Sequence, residues 1–413
     1  MELARQRSAW AGRLPAWSLY GAVLSGAGLP IYIYAPEYYA STYGVSLTLL
    51  GAILFFLRLF DFIQDPFLGW IGERLRHGRR TAMSVGAGVL ALSMLGLFAV
   101  TPPIAPAWWF GITITGLFTS FSFLYINFYA QGVGKAGADG HVRLAAWRES
   151  GALAGVCVAA VAPTALAHVV AEPYTVFAAG FAVVTLVAAV LMWPEWTPAP
   201  QPEATPIGAI LGDPLARRLL ILALVNATPV AVSSTIFLFF VESRLDAGGW
   251  EGALLVLFFL SAALSAPLWS WIAGRVGPKP ALLAAMCLAI LSFGYTLALG
   301  PGDVAIFAVI CIASGATIGA DLTLLPALFA RRMARIAPNG GQGFGLWSLV
   351  SKFTLAFAAV TLLPLLEASG FRAGAVDNPP EALRMLTVLY ALVPSCLKLV
   401  AIVLLATTDL ESV

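Results

Sequence analysis

Charge is what this sequence has least of. Only 11% of its 413 residues are Asp, Glu, Lys or Arg, against about a quarter in ordinary soluble chains. Hydrophobic residues make up 60%, and the mean hydropathy is +0.88. That deficit excludes a soluble globular protein. Histidine and cysteine are scarce too, at 3 and 4 residues. Cys157, Cys287, Cys311 and Cys396 stand singly in apolar segments and read as small core residues, not as disulfides or metal ligands. His77, His141 and His168 lie near segment ends and form no ligand cluster. With no nucleophile–histidine pair, no metal spacing and no cofactor motif, neither an enzyme nor a bound cofactor is expected. Basic runs interleaved with aromatics are also lacking, so nucleic acid is not an expected partner. The opening MELARQRSAWAGRLPAW has too few apolar residues for a cleaved signal peptide, which leaves targeting to the first spanning helix.

What is abundant is apolar sequence in stretches of roughly 20 residues, the length that crosses a bilayer core. Hydropathy, punctuated by Pro, Gly and charge, predicts twelve spans over 16–38, 46–74, 81–100, 107–132, 143–168, 173–193, 217–243, 250–274, 279–299, 303–330, 343–368 and 383–407. The Pro-rich stretch between the sixth and seventh spans reads as a semi-rigid linker. The expected architecture is therefore an all-α membrane protein with two six-helix bundles, residues 1–193 and 217–413, joined by a linker over 194–216. Lys and Arg crowd one set of loops, including Arg5, Arg7, Arg74, Arg76, Arg79, Arg80, Lys135, Arg217, Arg218, Arg331 and Arg332. The opposite loops hold Arg244, Arg372 and Arg384. By the positive-inside rule both termini are cytoplasmic.

The halves resemble each other. With an offset of 201 residues, FDFIQDPFLGWIGERL (60–75) falls on SAALSAPLWSWIAGRV (261–276), matching Pro66 to Pro267, Trp70 to Trp271 and Arg74 to Arg275. Parallel repeats of this kind build transporters. The repeat also isolates what is peculiar to the first copy: Arg58, Asp61 and Asp65 become Phe259, Ala262 and Ala266. Residues 58, 61 and 65 share one helix face. Each charge costs about 2.5–3.5 kcal/mol at the centre of a span. An Arg58–carboxylate clasp accounts for one Asp and leaves the second unexplained. Two carboxylates one turn apart repel, and a proton or an oxygen-liganded cation relieves that repulsion. Asp61 and Asp65 are therefore candidate ligands for Na⁺ or H⁺.

Other ionisable residues lie within predicted spans and are functional candidates on that ground. These are Arg148 and Glu149 in the fifth, Asp321 in the tenth and Lys352 in the eleventh, the last flanked by Trp347, Phe353 and Phe357. An interfacial pair with a loop Arg is the plainer reading of Glu149. In the fourth span Tyr125 and Tyr129 are four residues apart and share a face, as packing residues or as a flat cavity wall with polar tips.

These residues resemble the glycoside–pentoside–hexuronide:cation symporter family, the melibiose-permease branch of the major facilitator superfamily. The resemblance rests on Arg58–Leu59–Phe60–Asp61, Asp65–Pro66 and Gly69, with weaker likeness around Arg148, Glu242, Asp321 and Lys352. It implies the major facilitator fold. It also implies a coupling Na⁺, Li⁺ or H⁺ on Asp61 and Asp65 with Ser122 as the assisting hydroxyl, and Arg148 and Lys352 lining the cavity. The family's sugar-binding carboxylates fall on Ser25 and Tyr125, and its stacking Trp falls on Tyr129. The substrate site is thus less acidic and more aromatic, which implies a solute that is less sugar-like, anionic or partly apolar. GWIGERLRHGRR (69–80) resembles the superfamily's loop motif, implying a gating role for Glu73, Arg74, Arg79 and Arg80, grouped with Asp321.

The expected function is cation-coupled symport by alternating access of a small organic solute bounded by Ser25, Arg58, Tyr125, Tyr129, Arg148, Glu149, Trp347 and Lys352. The expected setting is the bacterial inner membrane, as a monomer among lipids. The rivals are a lysolipid symporter, an H⁺-coupled exporter, and a non-transporting receptor or assembly factor that kept the fold.

Overall fold

The computed structural model describes residues 13–28, 31, 34–75, 78–135, 137–197, 205–372 and 378–410. Arg5, Arg7, Arg76, His77 and linker residues 198–204 lie outside the described residues. Among the described residues every regular element is helical, and nine helices are long and apolar enough to cross a membrane.

The chain divides into two compact units, one of residues 1–210 with 333–346, the other of 211–332 with 347–413. The first unit contains α1 (Leu14–Gly26), α2 (Ala35–Tyr43), α3 (Leu47–Arg74), α4 (Arg79–Phe98), α5 (Pro106–Lys135), α6 (Gly137–Leu166), α7 (Pro173–Met192) and most of the short α8 (Ile207–Gly212). The second contains α9 (Pro214–Phe239), α10 (Glu251–Val276), α11 (Pro278–Gly294), most of α12 (Val304–Ile336), α14 (Pro380–Thr387) and α15 (Val393–Ala406). Helix α13 (Gly341–Ala368) starts in the first unit and continues in the second.

Within the expected first span, 16–38, helix α1 runs to Gly26 and α2 begins at Ala35, and between them Gly28 is helical and Ile31 and Tyr34 are π-helical. Elsewhere the ends follow local chemistry. Helix α3 opens on Ser46, whose hydroxyl accepts from the Leu49 amide at 3.2 Å. Helix α9 opens on Asp213, which accepts from the Ala216 amide at 2.7 Å with Pro214 at the first helical position. Both are the N-cap arrangement that satisfies a helix's orphan amides.

Close packing within each unit relies on small residues, as expected where lipid supplies no hydrophobic drive between helices. A Cβ on Gly21 would stand 2.7 Å from the Arg148 carbonyl, drawing α1 onto α6. In the second unit a Cβ on Gly319 would meet the Ala262 carbonyl at 2.7 Å. Ala262 and Ala266, fully buried, thus occupy a tight α10–α12 contact. The sequence repeat reappears as geometry: the Arg74 guanidinium lies 4.0 Å over Trp70 and that of Arg275 3.8 Å over Trp271.

Candidate functional site

Helix α3 carries both acids into the interior of the first unit. Asp61 is 5% exposed, and Asp65 and Ser122 are fully buried. Helix α5 approaches α3 closely because Gly72 presents no side chain; a Cβ there would run into Asn127. That approach sets Ser122 of α5 against Asp61. The Ser122 hydroxyl donates to Asp61 Oδ1 at 2.7 Å, and Gln64 Nε2 donates to the same oxygen at 2.9 Å. Thr119 in turn donates to Gln64 Oε1 at 3.3 Å, orienting the amide. Both of these donors are neutral side chains. Gln64 and Thr119 were not among the residues expected from the sequence. Their signal, a polar pair on the same two helices, is weak without the fold.

One face of α5 forms an aromatic ladder. Phe121 and Tyr125 stack at 5.6 Å between centroids, and Tyr125 meets Tyr129 at 4.4 Å. The Tyr129 hydroxyl donates to Glu149 Oε1 at 2.6 Å. Arg148 Nε donates to the same oxygen at 2.9 Å, and its guanidinium lies 3.4 Å over the Tyr129 ring. Arg148 and Glu149 are buried and adjacent in sequence, so α6 brings a matched pair of charges to the ladder. Among the described residues Glu149 is held by Arg148 of its own helix and by Tyr129. Ser25 and Arg58 are half-buried on α1 and α3.

The expected gating residues divide. Glu73, 2% exposed, accepts from the Gln342 amide at 2.7 Å and from the Thr205 amide at 3.0 Å. It caps the first turn of α13 and pins the linker at once. Gly69 makes room: a Cβ there would collide with the Gly341 carbonyl. Arg79 is buried, with Nη2 on the Asn127 carbonyl at 3.4 Å, and Arg80 Nε donates to the Trp196 carbonyl at 2.9 Å. Glu195, 1% exposed, pairs with Arg13 at 2.9 Å and Lys135 at 3.6 Å. The start of the expected linker is therefore fastened to the first unit. Arg74 instead lies over Trp70.

Trp347, Lys352 and Asp321 belong to the second unit. Trp347 is buried against Phe329 at 5.0 Å, and Lys352 is half-buried. Asp321 is bonded to Lys398, a residue the sequence reading did not single out.

A comparison with curated protein sequences finds no match. Several solved structures share the fold. A bacterial homologue of the iron transporter ferroportin in its outward-facing state aligns with TM-score 0.70 at 14% identity, over 97% of this chain and 100% of that one. The E. coli fucose:proton symporter FucP (N162A) aligns with TM-score 0.68 at 13% identity, over 96% and 99%. The human organic anion transporter MFSD10 (TETRAN) gives 0.65 at 16%, over 97% and 99%. The profile of the MFS/sugar transport protein family matches residues 17–412. The chain belongs to that family: it is a multi-pass membrane transporter of the major facilitator superfamily, not an enzyme.

Proposed function

We propose that the protein is a cation-coupled symporter of a small organic solute, with Na⁺ or H⁺ carried at Asp61 and Asp65. The observation that supports this reading is the burial of two acids one turn apart on α3, with a serine hydroxyl and a glutamine amide as donors to Asp61. Carboxylate and hydroxyl oxygens suit a hard monovalent cation or a proton.

The solute contacts the Phe121–Tyr125–Tyr129 ladder and the Arg148–Glu149 pair. Because Glu149 already balances Arg148, an uncharged hydroxylated or amphiphilic solute fits better than a free anion. Ser25 and Arg58 of the same unit contribute further contacts. The cycle is alternating access of residues 1–193 and 217–413, and the Glu73 cap on α13 makes and breaks within it. We place the protein in a bacterial inner membrane as a monomer with both termini cytoplasmic. Purified protein is screened by thermal shift against Na⁺, Li⁺, pH and a library of sugars, organic acids and lysolipids. A bound ligand at one hundred times its Kd stabilises by about 2.7 kcal/mol. The cation shift disappears in Asp61→Asn; if it persists there unchanged, the assignment of the ion fails.

A further inference from the structure

The second unit holds a buried ion pair that the first site does not use. Lys398 on α15 and Asp321 on α12 are 5% and 9% exposed, and Lys398 Nζ bonds Asp321 Oδ2. A second Lys398 donor goes to Asn226 Oδ1 on α9 at 2.7 Å. Asp321 Oδ1 is buried with no hydrogen-bond partner. An unmet buried acceptor costs about 1–3 kcal/mol, more when it is charged, so this oxygen calls for a donor from outside the pair.

Asp321 and Lys398 line a cavity of about 70 Å³ between α9, α10, α11, α12 and α15. One water needs about 10–15 Å³ of such space, so the cavity has room for several. Its other polar lining is four hydroxyls, and each spends its hydrogen on its own helix. Ser233 donates to the Pro229 carbonyl at 3.0 Å, Ser314 to Ile310 at 2.6 Å, Thr317 to Ser314 at 2.7 Å and Ser395 to Ala391 at 2.7 Å. What they turn to the cavity is lone pairs. The unpartnered carboxylate oxygen thus shares its cavity with acceptors, and the group is one hydrogen short.

We propose that Asp321 is a proton-binding site of the C-terminal half, loaded through this cavity. A hydronium in the cavity gives its proton to Asp321 Oδ1 and remains as water. The new O–H donates to cavity water or a lining hydroxyl, and the pair goes from neutral to a net charge of +1 with Lys398 held by Asn226. The other ionisable side chains on the surrounding helices do not line the cavity. These are Arg217 and Arg218 on α9, Glu251 and Arg275 on α10, Lys279 and Cys287 on α11, Cys311, Arg331, Arg332 and Arg335 on α12, and Cys396 on α15. Lys352 and Glu367 on α13 do not line it either. The cavity's charge state is therefore set by Asp321 and Lys398.

The test is pH-difference infrared spectroscopy on the purified full-length protein in lipid nanodiscs, which needs no knowledge of the transported solute. Acidification of the folded wild type brings out a protonated-carboxyl stretch that Asp321→Asn lacks and that Asp61→Asn and Asp65→Asn keep. Lys398→Met, which removes the neighbouring positive charge, brings out the same band at a higher pH. Should Asp321→Asn not fold, the Lys398→Met displacement carries the test alone. The proposal is overturned if wild-type and Asp321→Asn spectra coincide throughout the folded range, or if Lys398→Met leaves the onset in place.

Discussion

Glu73 offers the most direct mechanical test of the first unit. It is almost fully buried and is the acceptor for two backbone amides, Gln342 at the start of α13 and Thr205 within the linker. Glu73→Ala leaves both amides without that partner. A hydrogen bond to a charged group contributes about 1.5–3 kcal/mol. Since about 1.4 kcal/mol is tenfold in an equilibrium, each amide opens about 10- to 150-fold more often. Hydrogen-exchange mass spectrometry on peptides covering Thr205–Gly208 and Gly341–Phe344 reads this directly. Exchange there accelerates by that factor, while mid-helix α5 peptides stay as they were. Glu73→Gln keeps one acceptor oxygen and shows a smaller acceleration. Arg74→Ala, which removes a group stacked on Trp70, leaves both peptides unchanged. Wild-type exchange at both amides in Glu73→Ala would refute the reasoning.

Three further outcomes are expected. Tyr129→Phe removes the buried bond to Glu149 and destabilises by about 1–3 kcal/mol; Tyr129→Ala costs more, because Arg148 also loses its ring. Detergent-solubilised unfolding should rank wild type above Phe above Ala, and equality of the first two contradicts the geometry. Gly69→Ala collides with the Gly341 carbonyl, whereas nothing lies within 4 Å of a Cβ on Gly274. The former therefore destabilises by about 1–3 kcal/mol and the latter is neutral or gains about 0.5–1 kcal/mol, again by unfolding. The Arg332 hydrogen bond holds the Asp213 carboxyl below its ordinary value. A depressed carboxyl contributes stability above the ordinary aspartate range and loses it as pH falls through the folded value. The melting advantage of wild type over Asp213→Asn, which keeps the helix cap, should be present at neutral pH and vanish on acidification. An advantage that does not change with pH contradicts the pairing.

Much of the first site was legible in the sequence because its signal is local. Arg58, Asp61 and Asp65 fall on one helix, and the second copy of the repeat shows that the scaffold works without them. The Arg-over-Trp stacks at Trp70 and Trp271 are that same repeat in three dimensions. Contacts between distant segments were not legible. Glu73 and Gln342 are 269 residues apart and Asp321 and Lys398 are 77 apart, and no spacing rule couples helices at such range. Lys398 did carry a signal, a lone basic residue in the apolar run Leu397–Val400. Asp321 was grouped with Glu73 on likeness alone; the fold pairs it with Lys398.

The central claim is that an ion visits the paired acids of α3 and drives uptake. Its most direct test compares gradient-driven accumulation with solute exchange in vesicles, using a solute identified by the thermal-shift screen. With Asp61→Asn or Asp65→Asn, accumulation against a gradient collapses while exchange of the solute continues. Accumulation at the wild-type level by both variants, under Na⁺ and H⁺ gradients alike, would contradict the account.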